Sequence, residues 1–421
     1  MRALFLRWRS PLASGLTVAD LSLAMRNVFR QKARTALTLA IIGAGVAGLM
    51  LSGGFVENSL IKLRETTIHA HLGHLQIYRL GYFAEGKRSP YKYLIDRPDD
   101  VLSIVQSLPM VRNAMSRLSF AGVINNGKSD FAIFGEGIEP AKEAELGTQM
   151  QMVEGRKLDA NDHYTIILGE GVASGMALKT GDVVNLLLNT KEGALNNLEL
   201  TVVGVFRTFS KDYDAHAVRI TLADAQELLG TKANNAVVVE LKDTSMTETV
   251  AATLSTRLDP AYYEVKTWHN LADFYEQTAA LFKRQFAFLQ AIILLSVLLS
   301  VANSVNMTIF ERTGEFGTLM ALGTQRAPIF RLVMLENVFV GFFGSCVGVV
   351  LGLLLAGLIN IVNLPLPPPP NSNSGYFAGI SLTPSIVAIS FLVGLLATPL
   401  TALLPARRIS RVPVVVALRA N

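Results

Sequence analysis

The chain has a single cysteine, Cys346, so no internal disulfide forms, no cysteine-based metal site exists, and thiols say nothing about its compartment. Charge is scarce as well. Charged residues are 17% and hydrophobic residues 50% of 421, with a mean hydropathy of +0.37; that is too apolar for a typical water-soluble chain and too charged for one lying wholly in lipid. The nearest approach to a phosphate-cradling loop, GEGVASGMALKT at 169–180, lacks the spacing GxxxxGK[ST], which excludes a P-loop. A net charge of +5 needs no nucleic acid to explain it.

What is present is a set of long apolar runs separated by charge. Residues 1–35 carry Arg2, Arg7, Arg9, Arg26, Arg30, Lys32 and Arg34 against one acid, Asp20, and form a basic amphipathic segment that the positive-inside rule places in the cytoplasm. Residues 36–56 hold no charge and are long enough, at ~1.5 Å per residue, to cross a hydrocarbon core of about 30 Å. The basic lead and the apolar run both exceed the dimensions of a cleaved signal peptide, so this is a retained first span. The other spans fall at 283–309, 332–362 and 382–405. The connection 363–381 contains no Lys or Arg and a stiff Leu364-to-Pro370 run, which places it outside. The tail 406–421, with Arg407, Arg408, Arg411 and Arg419, returns to the cytoplasm. Ala44 and Gly48 on the first span, and Gly344, Gly348 and Gly352 on the third, recur every fourth residue, the pattern of close helix packing rather than a pore. Glu336, with Arg331 about one turn before it, reads as an acid at the membrane interface.

Residues 57–282 hold no run long enough to span and read as a water-exposed α+β domain, with a second subdomain at about 153–240. Apolar residues at Val101, Ile104, Val105 and Leu108 follow helical spacing between Asp99 and Pro109. Asn126-Gly127 marks a hairpin turn. Strands are expected at 165–168, 183–188, 198–206 and 236–241, and Ser245 with Glu248 forms a capping box for a helix through Leu258. Asp212, Asp214 and His216, and likewise His69, His71 and His74, lack supporting ligand spacing; the first trio reads as a solvated turn. From Leu271 to Phe310 one helix of about 40 residues, roughly 60 Å, doubles the hydrocarbon thickness, so half of it stands outside. At 79–98 Tyr82, Phe83, Tyr91 and Tyr93 interleave with Lys87, Arg88, Lys92 and Arg97, a composition suited to a protein contact; Arg88, Tyr91 and Tyr93 are the candidate anchors.

Between the second and third spans, 310–331 is a short charged segment. Glu311, Arg312 and Glu315 share a helical turn, and Gly323, Arg326 and Pro328 follow at its exit. The run FERTGEFGTLMALGTQRAPIFRLVMLENVFVGFFGSCVGVVLG resembles the segment after the second span of FtsX/MacB-type ABC transporter permeases. LAMRNVFRQKARTALTLAIIGAGVAGL resembles their opening, PARRISRVPVVVALR their close, and the runs around GEGIEP and GRKLDANDHYTIILGEGVASGMALKTGDVVNLLL their two periplasmic subdomains.

The resemblance implies a type VII permease: a four-helix membrane protein with a large α+β extracytoplasmic domain, in the bacterial inner membrane with both termini cytoplasmic. Glu311, Arg312, Glu315 and Arg326 would then form a coupling helix docking on a cytoplasmic ABC ATPase dimer. ATP and Mg would be held there, leaving this chain non-catalytic and without a cofactor. A second permease subunit, identical or not, is implied, together with membrane lipids and a LolA-like carrier or an adaptor. The layout favours LolC/LolE-like release of lipoprotein or lipid; the alternatives are MacB-like efflux of drugs or peptides and FtsX-like regulation of a cell-wall hydrolase.

Overall fold

A computed structural model describes residues 18–30, 32–86, 90–146, 150–362, 364–366, 373 and 376–409. It divides into a helical unit (Met1–Ser59, Leu281–Leu364, Phe377–Asn421) and an α/β unit (Leu60–Ala280, Pro365–Tyr376). Arg2, Arg7, Arg9, Lys87, Arg88, Pro367 to Pro370, Arg411 and Arg419 lie outside the described residues.

Among the described residues four helices are long and apolar enough to cross a membrane: Lys32–Ala70, Tyr275–Glu311, Arg326–Val362 and Pro384–Ile409. Within the helical unit Ile42, Val46, Met50, Val301, Val305, Val333, Ala402 and Ala406 form one buried cluster. Side chains such as Phe288, Leu299 and Leu354 point outward, as helices in lipid allow. The expected helix from Leu271 is broken at its start. A short helix, Trp268–Leu271, ends at Ala272 (φ −99°, ψ 60°), and Asp273–Glu311 then runs for 39 residues through Lys283 and Arg284 without interruption.

The α/β unit is built on a mixed sheet. Its strands are β1 (Leu75–Arg79), β2 (Val111–Asn125), β3 (Asp130–Ile138), β4 (Gln151–Gly155), β5 (Thr165–Gly169), β6 (Val183–Asn189), β7 (Leu195–Arg207), β8 (Ala217–Thr221), β9 (Ala236–Leu241) and β10 (Tyr263–Thr267). The order is β10-β1-β9-β2-β3-β8-β5-β7-β4, with β6 pairing β2 and β7. The pairs β3/β8 and β5/β7 are parallel and the rest antiparallel. Strand β2, at 15 residues, serves both halves of the sheet. One hydrophobic cluster packs Leu75, Val101, Val105 and Leu254 beside β9 and β1, and another packs Leu118, Ile166, Leu200 and Leu228 farther along.

The hairpin expected at Asn126-Gly127 is present, joining the antiparallel pair β2 and β3, while one other local expectation needs correction. Asn126-Gly127 opens a four-residue loop from Asn126 to Ser129. The Asn126 carboxamide oxygen accepts from the Lys128 and Ser129 amides, and Gly127 takes φ +80°. The Ser245/Glu248 capping box is absent: the Asp243 side chain accepts from the Ser245 amide and caps a 3-10 turn, Thr244–Met246, from which helix Thr247–Arg257 continues. Aspartate two residues upstream won because its carboxylate reaches that amide first.

Strands β8 and β9 are buried along their whole length, yet carry Arg219 and Glu240. A buried charge needs partners. Arg117 Nε donates to Glu143 Oε1 at 3.0 Å and its Nη1 lies 3.5 Å from Glu136; Arg219 Nε lies 3.2 Å from Glu136 Oε2, which also accepts from the Tyr213 hydroxyl at 3.0 Å. Burial, with Glu136 beside it, holds the Tyr213 phenol above its ordinary range although Arg219 opposes this. Two arginines and two glutamates thus neutralise one another inside the domain.

His74 is 1% exposed. Its Nδ1 accepts from the Leu241 amide at 3.2 Å, so the proton sits on Nε2, 3.1 Å from Thr244 Oγ1. Burial, and then His69, Arg112 and Arg64, push its pKa from 6.5 down to about 4. The unfolded chain therefore takes a proton near pH 6.5 while the folded one does not, and stability falls between pH 6.5 and 4 by up to about 3 kcal/mol. Full-length protein unfolded by urea across that interval should show this loss, and His74→Gln should flatten it; an unchanged pH slope would discard the neutral, buried imidazole.

Candidate functional site

The second span ends at Glu311, and a nine-residue helix, Thr313–Ala321, follows at once. Its exit is a Schellman turn: the Thr324 amide donates to the Leu319 carbonyl and the Gly323 amide to that of Met320, with Gly323 at φ +96°. Glycine is required because a side chain is strained at that angle. Pro328 falls in the first turn of the next helix, where amide protons have no carbonyl to meet.

This short helix is anchored by charge within the helical unit. Arg34 pairs with Glu311, and Arg30 Nη1 lies 3.5 Å from Glu315. Arg312 Nε donates to Glu315 at 3.1 Å, its Nη1 and Nη2 reach the two Glu336 oxygens at 2.5 and 3.2 Å, and its guanidinium sits 5.1 Å over the Phe316 ring. Asn27 Nδ2 completes Glu336 with a 2.7 Å bond to Oε1. A cavity of about 110 Å³ lies beside these groups, lined also by Thr38, Ser304, Thr308 and Asn337.

Of the four coupling candidates, Glu311, Glu315 and Arg326 are exposed, whereas the Arg312 side chain keeps only 13% of its accessibility and turns inward. Glu336 is 8% exposed, buried among helices where Arg312 and Asn27 compensate its charge. The outward face of the short helix includes Leu319 and Leu322, 38% and 80% exposed. Sequence reasoning passed over this pair, although its spacing from Glu315, i+4 and i+7, was readable.

The glycine ladder of the third span lies against the first. A Cβ on Gly344 would come within 2.9 Å of Ile42, on Gly348 within 2.6 Å of Val46, and on Gly352 within 2.9 Å of Met50. The first-span residues in this contact are Ile42, Gly43, Val46, Ala47 and Met50; Ala44 is exposed, and Gly48 instead faces Ile293 at 3.8 Å. Gly341 and Gly394, which the sequence reading did not single out, fit tightly against Thr398 and Ser345.

In the α/β unit Tyr91 is half-buried and packs on the larger core, its phenol raised by burial, and the Tyr93 ring covers Gly81. The side chain of His71 is outside the described residues. Of the expected solvated turn, Asp212 and His216 are exposed and Asp214 is not. Asp214 is 1% exposed and accepts from the Thr208 amide, the Thr208 hydroxyl and Asn373 Nδ2 at 2.8, 2.7 and 2.6 Å. Burial raises its carboxyl, and these donors oppose that rise. Among the described residues no group of three or more His, Cys, Asp or Glu is arranged to hold a metal ion.

Two family descriptions match the chain: the MacB-like periplasmic core domain over residues 35–257 and the FtsX-like permease C-terminal over 287–414. The chain belongs to the FtsX/MacB-like superfamily of ABC transporter permeases. It is 26% identical over 96% of its length to a macrolide export ATP-binding/permease protein MacB of Brucella abortus, covering 61% of that protein. It is 25% identical to the lipoprotein-releasing system transmembrane protein LolC of Neisseria meningitidis, over 76% of each chain. The chain spans 59% and 61% of the length of the first two curated relatives it matches. Among solved structures it is similar to the periplasmic region of MacB from Actinobacillus actinomycetemcomitans, with 13% identity, a TM-score of 0.37, and coverage of 49% of this chain and 94% of that one.

Proposed function

We propose that this chain is the non-catalytic permease subunit of an ABC transporter in the bacterial inner membrane, with both termini and helix Thr313–Ala321 in the cytoplasm. Its role is to carry ATP-driven motion to the α/β unit. The observation that carries this reading is the short helix itself. The helix and its two flanks present Glu311, Glu315, Leu319, Leu322 and Arg326 outward, while Arg312 and Phe316 fix the inner side. An exposed rim of charge around two leucines suits docking on a protein. ATP and Mg are bound by a partner ATPase dimer, and a second permease subunit, identical or different, completes the complex.

Lipoprotein or lipid is the cargo proposed, supported by the LolC match over 76% of each chain; the MacB match over 96% of this chain supports efflux with an adaptor as the second reading. Arg88, Tyr91 and Tyr93 remain the proposed contact for a LolA-like carrier. Because Tyr91 packs on its own core, Arg88 and Tyr93 would carry more of that contact.

Purification in mild detergent tests both levels. Glu315→Arg reverses a charge on the docking face and should cut recovery of the ATPase roughly tenfold, about 1.4 kcal/mol, with permease still in the membrane. Leu322→Asp should do the same. Unchanged ATPase recovery in both variants would sink the coupling assignment. Co-purifying lipoprotein supports the first cargo reading, and a membrane-fusion adaptor the second.

A further inference from the structure

We propose that Glu336 is a positioning residue that ties helix Val18–Arg30 and the coupling segment to the third span as one body, making the segment ahead of the first span a working part of the coupling device. This rests on the reading that helix Thr313–Ala321 receives the ATPase.

Three elements meet on one carboxylate. Arg312, at the junction of the second span and the short helix, spreads both guanidinium nitrogens over the two Glu336 oxygens, and Asn27, from helix Val18–Arg30, donates to Oε1. Glu336 belongs to the third span. A two-point guanidinium–carboxylate pair fixes angle as well as distance, which a single contact does not. The arrangement is also held from outside the pair: Phe316, under the guanidinium, is 1% exposed, and Ala24 and Val28 are buried on the same side of their helix as Asn27. Phe29 meets Phe343 edge-on at 5.8 Å.

Direction follows from placement. A push received at Glu315 reaches Arg312 within one helical turn, one received at Leu322 travels about three turns along the short helix, and the charged path from Arg312 to the third span runs through Glu336. Asn27 adds helix Val18–Arg30 to whatever moves. The neighbouring cavity, about 110 Å³ with hydroxyl and amide lining, is roomy enough for water. Water admitted there would lower the cost of partly separating the pair, so that the joint could hold and still yield, unlike a dry buried pair.

The test uses the full permease co-purified with its ATPase and measures complex yield and permease-stimulated ATP hydrolysis. Glu336→Gln keeps an acceptor for Asn27 but removes the charge facing Arg312, and Asn27→Ala removes only the hydrogen bond from the N-terminal helix, leaving Phe29 against Phe343. Complex yield should stay within about twofold of wild type, while stimulated hydrolysis falls roughly tenfold for Glu336→Gln and about threefold for Asn27→Ala. The swap Arg312→Glu with Glu336→Arg should recover at least about half of the stimulation lost in either single exchange. A merely structural role would lower complex yield and hydrolysis together, and that result overturns the proposal. So do wild-type stimulation in Glu336→Gln and Asn27→Ala, or no recovery in the swap. Glu315→Arg in the same series separates the two levels: if it loses the ATPase while the Glu336 and Asn27 variants couple normally, only the positioning role fails. If Glu315→Arg also retains the ATPase, the docking reading fails first.

Discussion

Gly348→Leu should remove nearly all intact permease from the membrane, although it makes the third span more hydrophobic. At Gly348 a Cβ alone would lie 2.6 Å from Val46 Cβ, 2.9 Å from the Gly43 carbonyl oxygen and 3.0 Å from Gly43 Cα. Two of those neighbours are backbone, which cannot rotate away, so the first and third spans must separate. Overpacking usually costs about 1–3 kcal/mol where side chains can yield; here the backbone is the obstacle and the cost should reach or exceed about 3 kcal/mol. Gly357→Leu is the control, since nothing stands within 4 Å of a Cβ at that position, and its yield should match wild type. The measurement is permease recovered as a monodisperse species after mild solubilisation. Equal yields from the two variants would show that the contact between the first and third spans does not hold the protein together.

A second large effect is expected in the α/β unit. Arg117→Met should destabilise it by about 3–5 kcal/mol, because it leaves Glu143 charged and buried beside a partner that is gone. The side chains of Arg117 and Glu143 keep 4% and 3% of their accessibility, so water cannot replace the lost bonds. Arg117→Met with Glu143→Leu removes both charges, and the pair of changes should cost clearly less than the single one, since two apolar side chains of similar volume fill the same space. Urea-dependent proteolysis of the full-length permease reads both. If the double variant is the weaker of the two, the network is not a compensated ion cluster but part of a tightly fitted polar core.

The long-range organisation was legible because it rests on one-dimensional quantities. The length and neutrality of an apolar run decide whether a helix can cross lipid, and four such helices are present among the described residues. Alternation and β-branched content placed β5, β6, β7 and β9 within a few residues, since β9, AVVVEL, is buried on both faces and carries the continuous apolar signature of such strands. Every-fourth-residue glycines marked the third-span ladder, because helical periodicity converts spacing directly into a face. Local chemistry close in sequence was less secure: Asp243 displaced the expected Ser245/Glu248 box, since several residues near a helix start compete for the same few amides.

Partnerships between distant residues had no such signal. Asn27 and Glu336 are 309 positions apart, and Arg312 and Glu336 are 24 apart. Nothing in the charge pattern distinguishes an arginine that faces outward from one folded back onto an acid in the next span. Sequence order suggested one helical turn for Glu311, Arg312 and Glu315; the structure breaks the helix at Arg312, between the second span and the short helix, and packing turns Arg312 in while the two acids stay exposed, because neighbours decide what stands in each direction. For the same reason Asp214, read as part of a solvated loop, is buried, and Arg219 and Glu240 sit within strands whose pattern predicts only apolar residues. A buried charge is stable when its partners surround it, and those partners arrive from other elements of the fold.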